Sequence, residues 1–181
     1  MLHKSITYRV SYRKIKYPRL EFKTGELYLI LPFGRRPEEI IEKHINWITQ
    51  KNDFITASLK NTADLKLNER DVKTLKVLVQ KQAAIICNKL KVSISNINFR
   101  KMRSKWASCS SNKNITINTL MAYLPDNYIE YILYHEIVHL LEKKHNERFW
   151  KIIQNKYPDY KNMEKALFTY WFLVNKKVSS I

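Results

Sequence analysis

Apolar and polar residues alternate near the start of the chain: in ITYRVSY, Ile6, Tyr8, Val10 and Tyr12 fall on one side. A period of two is the mark of a strand with one covered face. LEFK after Pro18, and ELYLILP after a Thr24–Gly25 turn, repeat it. Together they predict a hairpin that the first strand joins in a small antiparallel sheet. The period then changes. Pro37 suits a first helical turn, Glu38 and Glu39 suit its positive end, and Ile40, Ile41, Ile45 and Ile48 recur at helical spacing to about Gln50. DFITASLKNTADLKL reads as an irregular connector. A second long helix is predicted from near Asn68, with Glu69 and Asp71 in its first turn and Val72, Leu75, Val79, Ala83 and Ile86 as its apolar stripe. KVSISNINFRKM reads as a strand with a bulge between Ile94 and Ile97, RSKWASCSSNKN as a loop with edge-strand character, and NITINTLM as a strand. Ile129, Ile132, Leu133, Ile137 and Leu140 mark a helix entered at Asp126. Asn146 can cap a short helix holding Phe149, Ile152 and Ile153, and Ala166, Leu167, Tyr170, Trp171 and Val174 mark a last one. Strands first, then helices around a second strand pair, give an α+β outline.

The length of 181 residues fits one domain, 1–181, with a strand-rich portion over 1–33 and a catalytic core over 68–175. No apolar run approaches the length needed to cross a bilayer, so no membrane partner is expected. The start lacks a signal peptide's apolar core, and Cys87 and Cys109 are too few for a disulfide framework; free thiols and a cytoplasmic location are the expectation. The net charge is +17, and no acid falls between Asp71 and Asp126. Lys73, Lys76, Lys81, Arg100, Arg103 and Lys105 all lie in that interval. A field of one sign attracts nucleic acid, nucleotide or polyphosphate, although a merely solvated surface would carry the same charge.

The chemistry is concentrated in HEIVHLLEKKH, His135 to His145. At about 100° per residue, His135 and His139 share a helix face one turn apart, with Glu136 flanking them. Two neutral imidazoles leave most of a zinc ion's charge intact, and Glu136 is placed to accept a proton from an attacking water. Three protein ligands and a water is the usual catalytic set. His145 is the expected third ligand once the chain folds back, with Asp159 and Glu164 as carboxylate alternatives. Cys109 as a fourth ligand would make the site structural, and Glu142 is expected to support the site without coordinating. His3 and His44 read as packed or capping residues.

The ordered set Arg103, Trp106, Ser108, Cys109, Ser110, Asn118, His135, Glu136, His139, His145, Phe149 and Trp150 resembles the YgjP-like metallopeptidase-domain family, related to the SprT-like zincins. The resemblance implies a zincin-like α+β fold with a helical metal-binding core and one divalent ion, zinc by expectation. It implies a hydrolase acting on peptides or, as described for some members, on the nucleoside triphosphate UTP as a pyrophosphatase. Arg103 and Lys105 would then clamp phosphates, while a protease would hold its substrate along Ser108–Ser110. Trp106 would stack on substrate or pack, and Asn118 would orient a substrate group or tie its strand to the Trp106 loop. Phe149 and Trp150 would brace the return of His145. Ala107 stands where the family usually has glycine, and a positive φ there would strain it. The oligomeric state is not legible.

Overall fold

The computed structural model describes residues 7–23, 26–60 and 65–179. His3, Ile6 and the Thr24–Gly25 turn lie outside them. The chain divides into two compact units, one of Met1–Asp64 with Phe168–Ile181 and one of Leu65–Leu167.

In the first unit, β1 (Tyr8–Tyr12), β2 (Arg19–Lys23) and β3 (Glu26–Leu31) form a sheet of order β1-β3-β2. The sheet is mixed: β2 is antiparallel to β3, as expected, but β1 runs parallel to it, in register from Tyr8 opposite Leu27 to Tyr12 opposite Leu31. Alternation in sequence leaves a strand's direction open, so the parallel pair was not legible, and the apolar side expected to be covered on β1 is exposed at Tyr8, Val10 and Tyr12. Leu27, Leu29 and Leu31 form the core with Ile40 of α1 (Pro37–Lys43) and Ile48 of α2 (Ile45–Lys60). The second helix runs past Gln50 into the expected connector. Ile55, seven residues after Ile48, is buried, and Phe54 packs on Phe168 with ring centroids 5.1 Å apart. Two turns of spacing hold the polar stretch helical.

In the second unit, α3 spans Val72–Leu90. Asp71 lies just outside it as the cap, its carboxylate accepting from the Thr74 N–H at 2.6 Å. This bond holds the Asp71 carboxyl below its ordinary pKa. Arg70 donates to the Leu124 carbonyl at 2.8 Å and pairs with Asp126, which locks the entrances of α3 and α4 together. Lys91, with φ 54, ends α3, and the Val92 N–H returns to Cys87 O at 3.1 Å. The chain thus turns over residues where a bulged strand was expected, and β4 covers only Asn96–Arg100.

β4, β5 (Ala107–Cys109) and β6 (Asn114–Asn118) make a sheet of order β4-β6-β5, parallel on one side and antiparallel on the other. Ile115 and Ile117 are fully buried. β6 stops at Asn118, whose Oδ1 accepts from the Leu120 N–H at 3.1 Å and opens a 3₁₀ turn over Thr119–Tyr123 in place of further strand. Then come α4 (Asp126–Val138), α5 (Glu147–Lys156) and α6 (Tyr160–Ser179), the last passing from the second unit into the first. No helix among the described residues is long and apolar enough to cross a membrane. Both cysteines are free.

Candidate metal centre

α4 is apolar on most of its circumference: Ile129, Tyr131, Ile132, Leu133, Tyr134, Ile137 and Val138 are buried. Its polar edge carries His135 and Glu136, both half-buried. The helix ends at Val138, before Leu140, the last residue expected on its apolar stripe, and His139 is its C-cap in αR geometry. Tight turns follow, with Leu141 N–H to Val138 O at 2.9 Å and Glu142 N–H to the same oxygen at 2.9 Å. This early stop lets His145 come back. Asn146 then caps α5, its Oδ1 accepting from the Phe149 N–H at 3.0 Å.

One ligand atom from each of His135, His139 and His145 lies within 4.8 Å of the others. His135 Nε2 and His145 Nε2 are 2.9 Å apart. Two nitrogens on a tetrahedral zinc would stand about 3.3 Å apart, so a few tenths of an ångström of side-chain rotation separate this arrangement from ligation. The His139 Nδ1 lies 3.2 Å from the Glu142 carbonyl. As donor there, it leaves Nε2 as the free lone pair. Burial, followed by the neighbouring His145 and His139, pushes the His135 pKa down to about 3. A neutral imidazole is the form that binds a cation. The donor set therefore fits a divalent ion.

Phe149 is fully buried and closes the cluster from one side, its ring centroid 4.9, 4.7 and 4.6 Å from those of His135, His139 and His145. Trp150 stacks on His145 at 5.6 Å, donates its indole N–H to the His145 carbonyl at 3.1 Å, and stacks on Tyr160 at 5.0 Å. His145 is exposed, so these bonds hold it.

Glu136 has its pKa raised by burial; His139, a backbone hydrogen bond from Cys109 and the charge of Lys105 work against that rise. A carboxyl tuned upward beside three histidines suits proton transfer near neutrality. The Cys109 thiol is pushed up by burial and then by Glu136, which keeps it protonated and a poor nucleophile.

The other expected residues divide. Lys105 is exposed yet near enough to act on Glu136, and Arg103 is exposed. Trp106 donates its indole N–H to Leu167 O at 3.3 Å, a packing bond. The Ser110 hydroxyl accepts from the Asn114 N–H at 3.2 Å inside the β5–β6 turn, and Ser108 is half-buried opposite Thr116. Asn118 is fully buried. Its Oδ1 accepts from Met102 N–H and its Nδ2 donates to Met102 O and Lys105 O, at 3.1, 3.0 and 2.8 Å. All its polar valences are used on backbone, so the substrate role expected for Asn118 gives way to tying the basic loop to β6. Glu164 accepts from the Tyr131 hydroxyl at 3.0 Å, and Asp159 is exposed and bonded to Asn162. Among the described residues, neither they nor Cys109 join the histidine group. Ala107 is buried, and the positive φ values among described non-glycine residues fall at Lys91 and Lys113, so alanine is unstrained there.

What sequence did not reveal is the outward backbone of β5. Trp106 O accepts from Asn118 N–H, and Ser110 N–H donates to Asn114 O. By alternation, residues 106, 108 and 110 bond to β6, while the backbone of Ala107 and Cys109 faces the open edge.

The family described as "YgjP-like, metallopeptidase domain" matches residues 56–170, more than half of the chain. The chain belongs to that family. For a YgjP-like chain, a metal-dependent hydrolase site is what the family and the three-histidine cluster together support. Among solved structures, it is similar to the metallopeptidase zymogen abylysin of Pyrococcus abyssi, with 23% identity, 50% of this chain and 92% of that one covered, and a TM-score of 0.46. It is also similar to the zymogen jannalysin of Methanocaldococcus jannaschii, with 25% identity, 49% and 90% covered, and a TM-score of 0.44. No curated protein is a match.

Proposed function

We propose that the chain is a zinc-dependent peptidase, with His135, His139 and His145 holding the ion and Glu136 as general base. The catalytic core is residues 68–175, and these four residues fall within the compact unit Leu65–Leu167. The observation that carries the reading is the convergence of three imidazoles, next in the chain to a half-buried carboxyl that Cys109 of the edge strand also touches. When bound, the ion would acidify a water and polarise the scissile carbonyl. Glu136 takes the water's proton, and its raised affinity for that proton lets it hold it until the departing amine accepts it. The outward backbone of Ala107 and the carbonyl of Cys109, whose N–H is held by Glu136, add an extended peptide as a further strand, which sets the scissile bond alongside Glu136. The Glu136–Cys109 bond couples the base to the strand that positions substrate.

One observation favours a second reading, a nucleoside triphosphate (UTP) pyrophosphatase on the same residues: Lys105 acts on Glu136, and Arg103 stands exposed in the same loop. Cations there would steady charge on a phosphoryl group. A panel of the four nucleoside triphosphates and an unstructured protein decides, with wild type and Glu136→Gln compared in metal and after chelation. Peptide cleavage lost in Glu136→Gln, with inert nucleotides, is the expected result. Pyrophosphate release with intact protein substrate would replace the first reading by the second.

A further inference from the structure

We infer that one end of the amino-terminal sheet is a binding platform for single-stranded nucleic acid. The topology gathers its parts. β1 and β3 are parallel and leave the sheet at the same end, where Tyr12 pairs with Leu31; antiparallel β2 begins there, with Arg19 opposite Ile30. Segments 12–19 and 32–36 therefore share that end.

Its aromatic rings are displayed. Arg35 N–H bonds to Pro32 O at 3.3 Å, and Gly34, at φ +80, supplies the left-handed position of a type II turn. The turn lifts Phe33 off the strand: it is 73% exposed and stacks on Tyr12, itself 45% exposed, with centroids 6.4 Å apart and planes 21° from parallel. Tyr17, 68% exposed, sits in the neighbouring loop under the ammonium of Lys16 at 5.3 Å. Three large rings thus face water at one sheet end, largely uncovered by the described residues, and forgo burial free energy.

The charge says what covers them. Arg13, Lys14, Lys16, Arg19, Arg35 and Arg36 are all exposed. No acid occurs in residues 7–20 or 27–37; Glu38 and Glu39 follow at the first turn of α1. Among the described residues, the ion pairs engage Arg9, Arg70, Arg148 and Lys156 and none of these six. Ring faces interleaved with cations match unstacked bases on a phosphate backbone. A duplex hides its base faces and would engage the cations alone.

The test is fluorescence anisotropy of the full chain with labelled thymidine and uridine oligomers of roughly 12 nucleotides, an equal-length duplex, and phosphatidylserine–phosphatidylcholine vesicles. The single strands should bind more tightly than the duplex. Phe33→Ala and Tyr12→Ala should each weaken binding about 10-fold, with Phe33→Trp restoring it. Reversing Arg35 and Arg36 to Glu should cut the salt slope of log affinity by about 1.4. Glu136→Gln should bind as wild type does, so failure of the peptidase reading would not touch this one. Equal binding of duplex with Phe33→Ala silent, vesicles bound without oligomers, or no binding would each overturn it.

Discussion

His135 and His139 are held by one kind of structure and His145 by another. The first two sit on α4 and at its C-cap, and the helix's other faces are sunk in the core, so their placement follows from burial of Ile129, Leu133, Ile137 and Val138. His145 is exposed and arrives on a turn fixed by an asparagine cap, one indole hydrogen bond and an aromatic wedge. The contrast teaches that the helix makes a half-site that survives as long as the fold does, while the remaining half depends on local contacts. Phe149 joins them, since its ring touches all three imidazoles.

Breaking the join should have the largest effect. Phe149→Ala should destabilise the protein by about 3–5 kcal/mol in urea unfolding and abolish tight metal uptake. Next comes His145→Ala. It should weaken metal binding by more than the roughly 10–100-fold seen when a ligand's supporting partner is lost. In the metal-free protein its unfolding free energy should stay within about 0.5 kcal/mol of wild type, because the side chain is exposed. Chelator competition and urea titration on the same samples check both, and a large stability loss would mean that His145 belongs with the core half. Asn146→Ala should cost about 1 kcal/mol through the lost cap, with Asn146→Ser close to wild type.

The smallest effect sharpens the comparison on α4 itself. Lys156 bonds to Glu130 at 2.6 Å and holds the Glu130 carboxyl below its ordinary range. Because the folded pKa is depressed, this contribution is present above the unfolded value and disappears as pH falls through the folded one. Lys156→Met should therefore lower stability at pH 7 by at most about 1 kcal/mol, the pair being partly exposed, and match wild type once the pH is below the depressed pKa of Glu130. Equal losses at both pH values would assign the effect to packing of the lysine stem against Tyr134 and Tyr157 instead.

How legible each half was follows the same division. The apolar stripe of α4 and the spacing of His135, Glu136 and His139 are local periodicities, and these the sequence displays directly. The cap at Asn146 is local too, and so was the α+β outline. The parallel course of β1 beside β3 is not, because it depends on a long-range pairing that alternation leaves open. Nor could Asn118 be sorted from sequence: an asparagine at a strand end serves a substrate or a loop equally well until its four backbone partners are seen. The outward backbone of Ala107 and Cys109 escaped for a similar reason, since which backbone groups of a strand face outward depends on its pairing with β6.

Whether three histidines from two differently built halves grip one ion is answered most directly by cobalt titration followed by visible absorption. Wild type should take up one ion per chain and develop the intense bands of a four-coordinate nitrogen-rich site, and His145→Ala should lose that spectrum. Uptake far from one ion per chain, or a spectrum indifferent to His145→Ala, would contradict it.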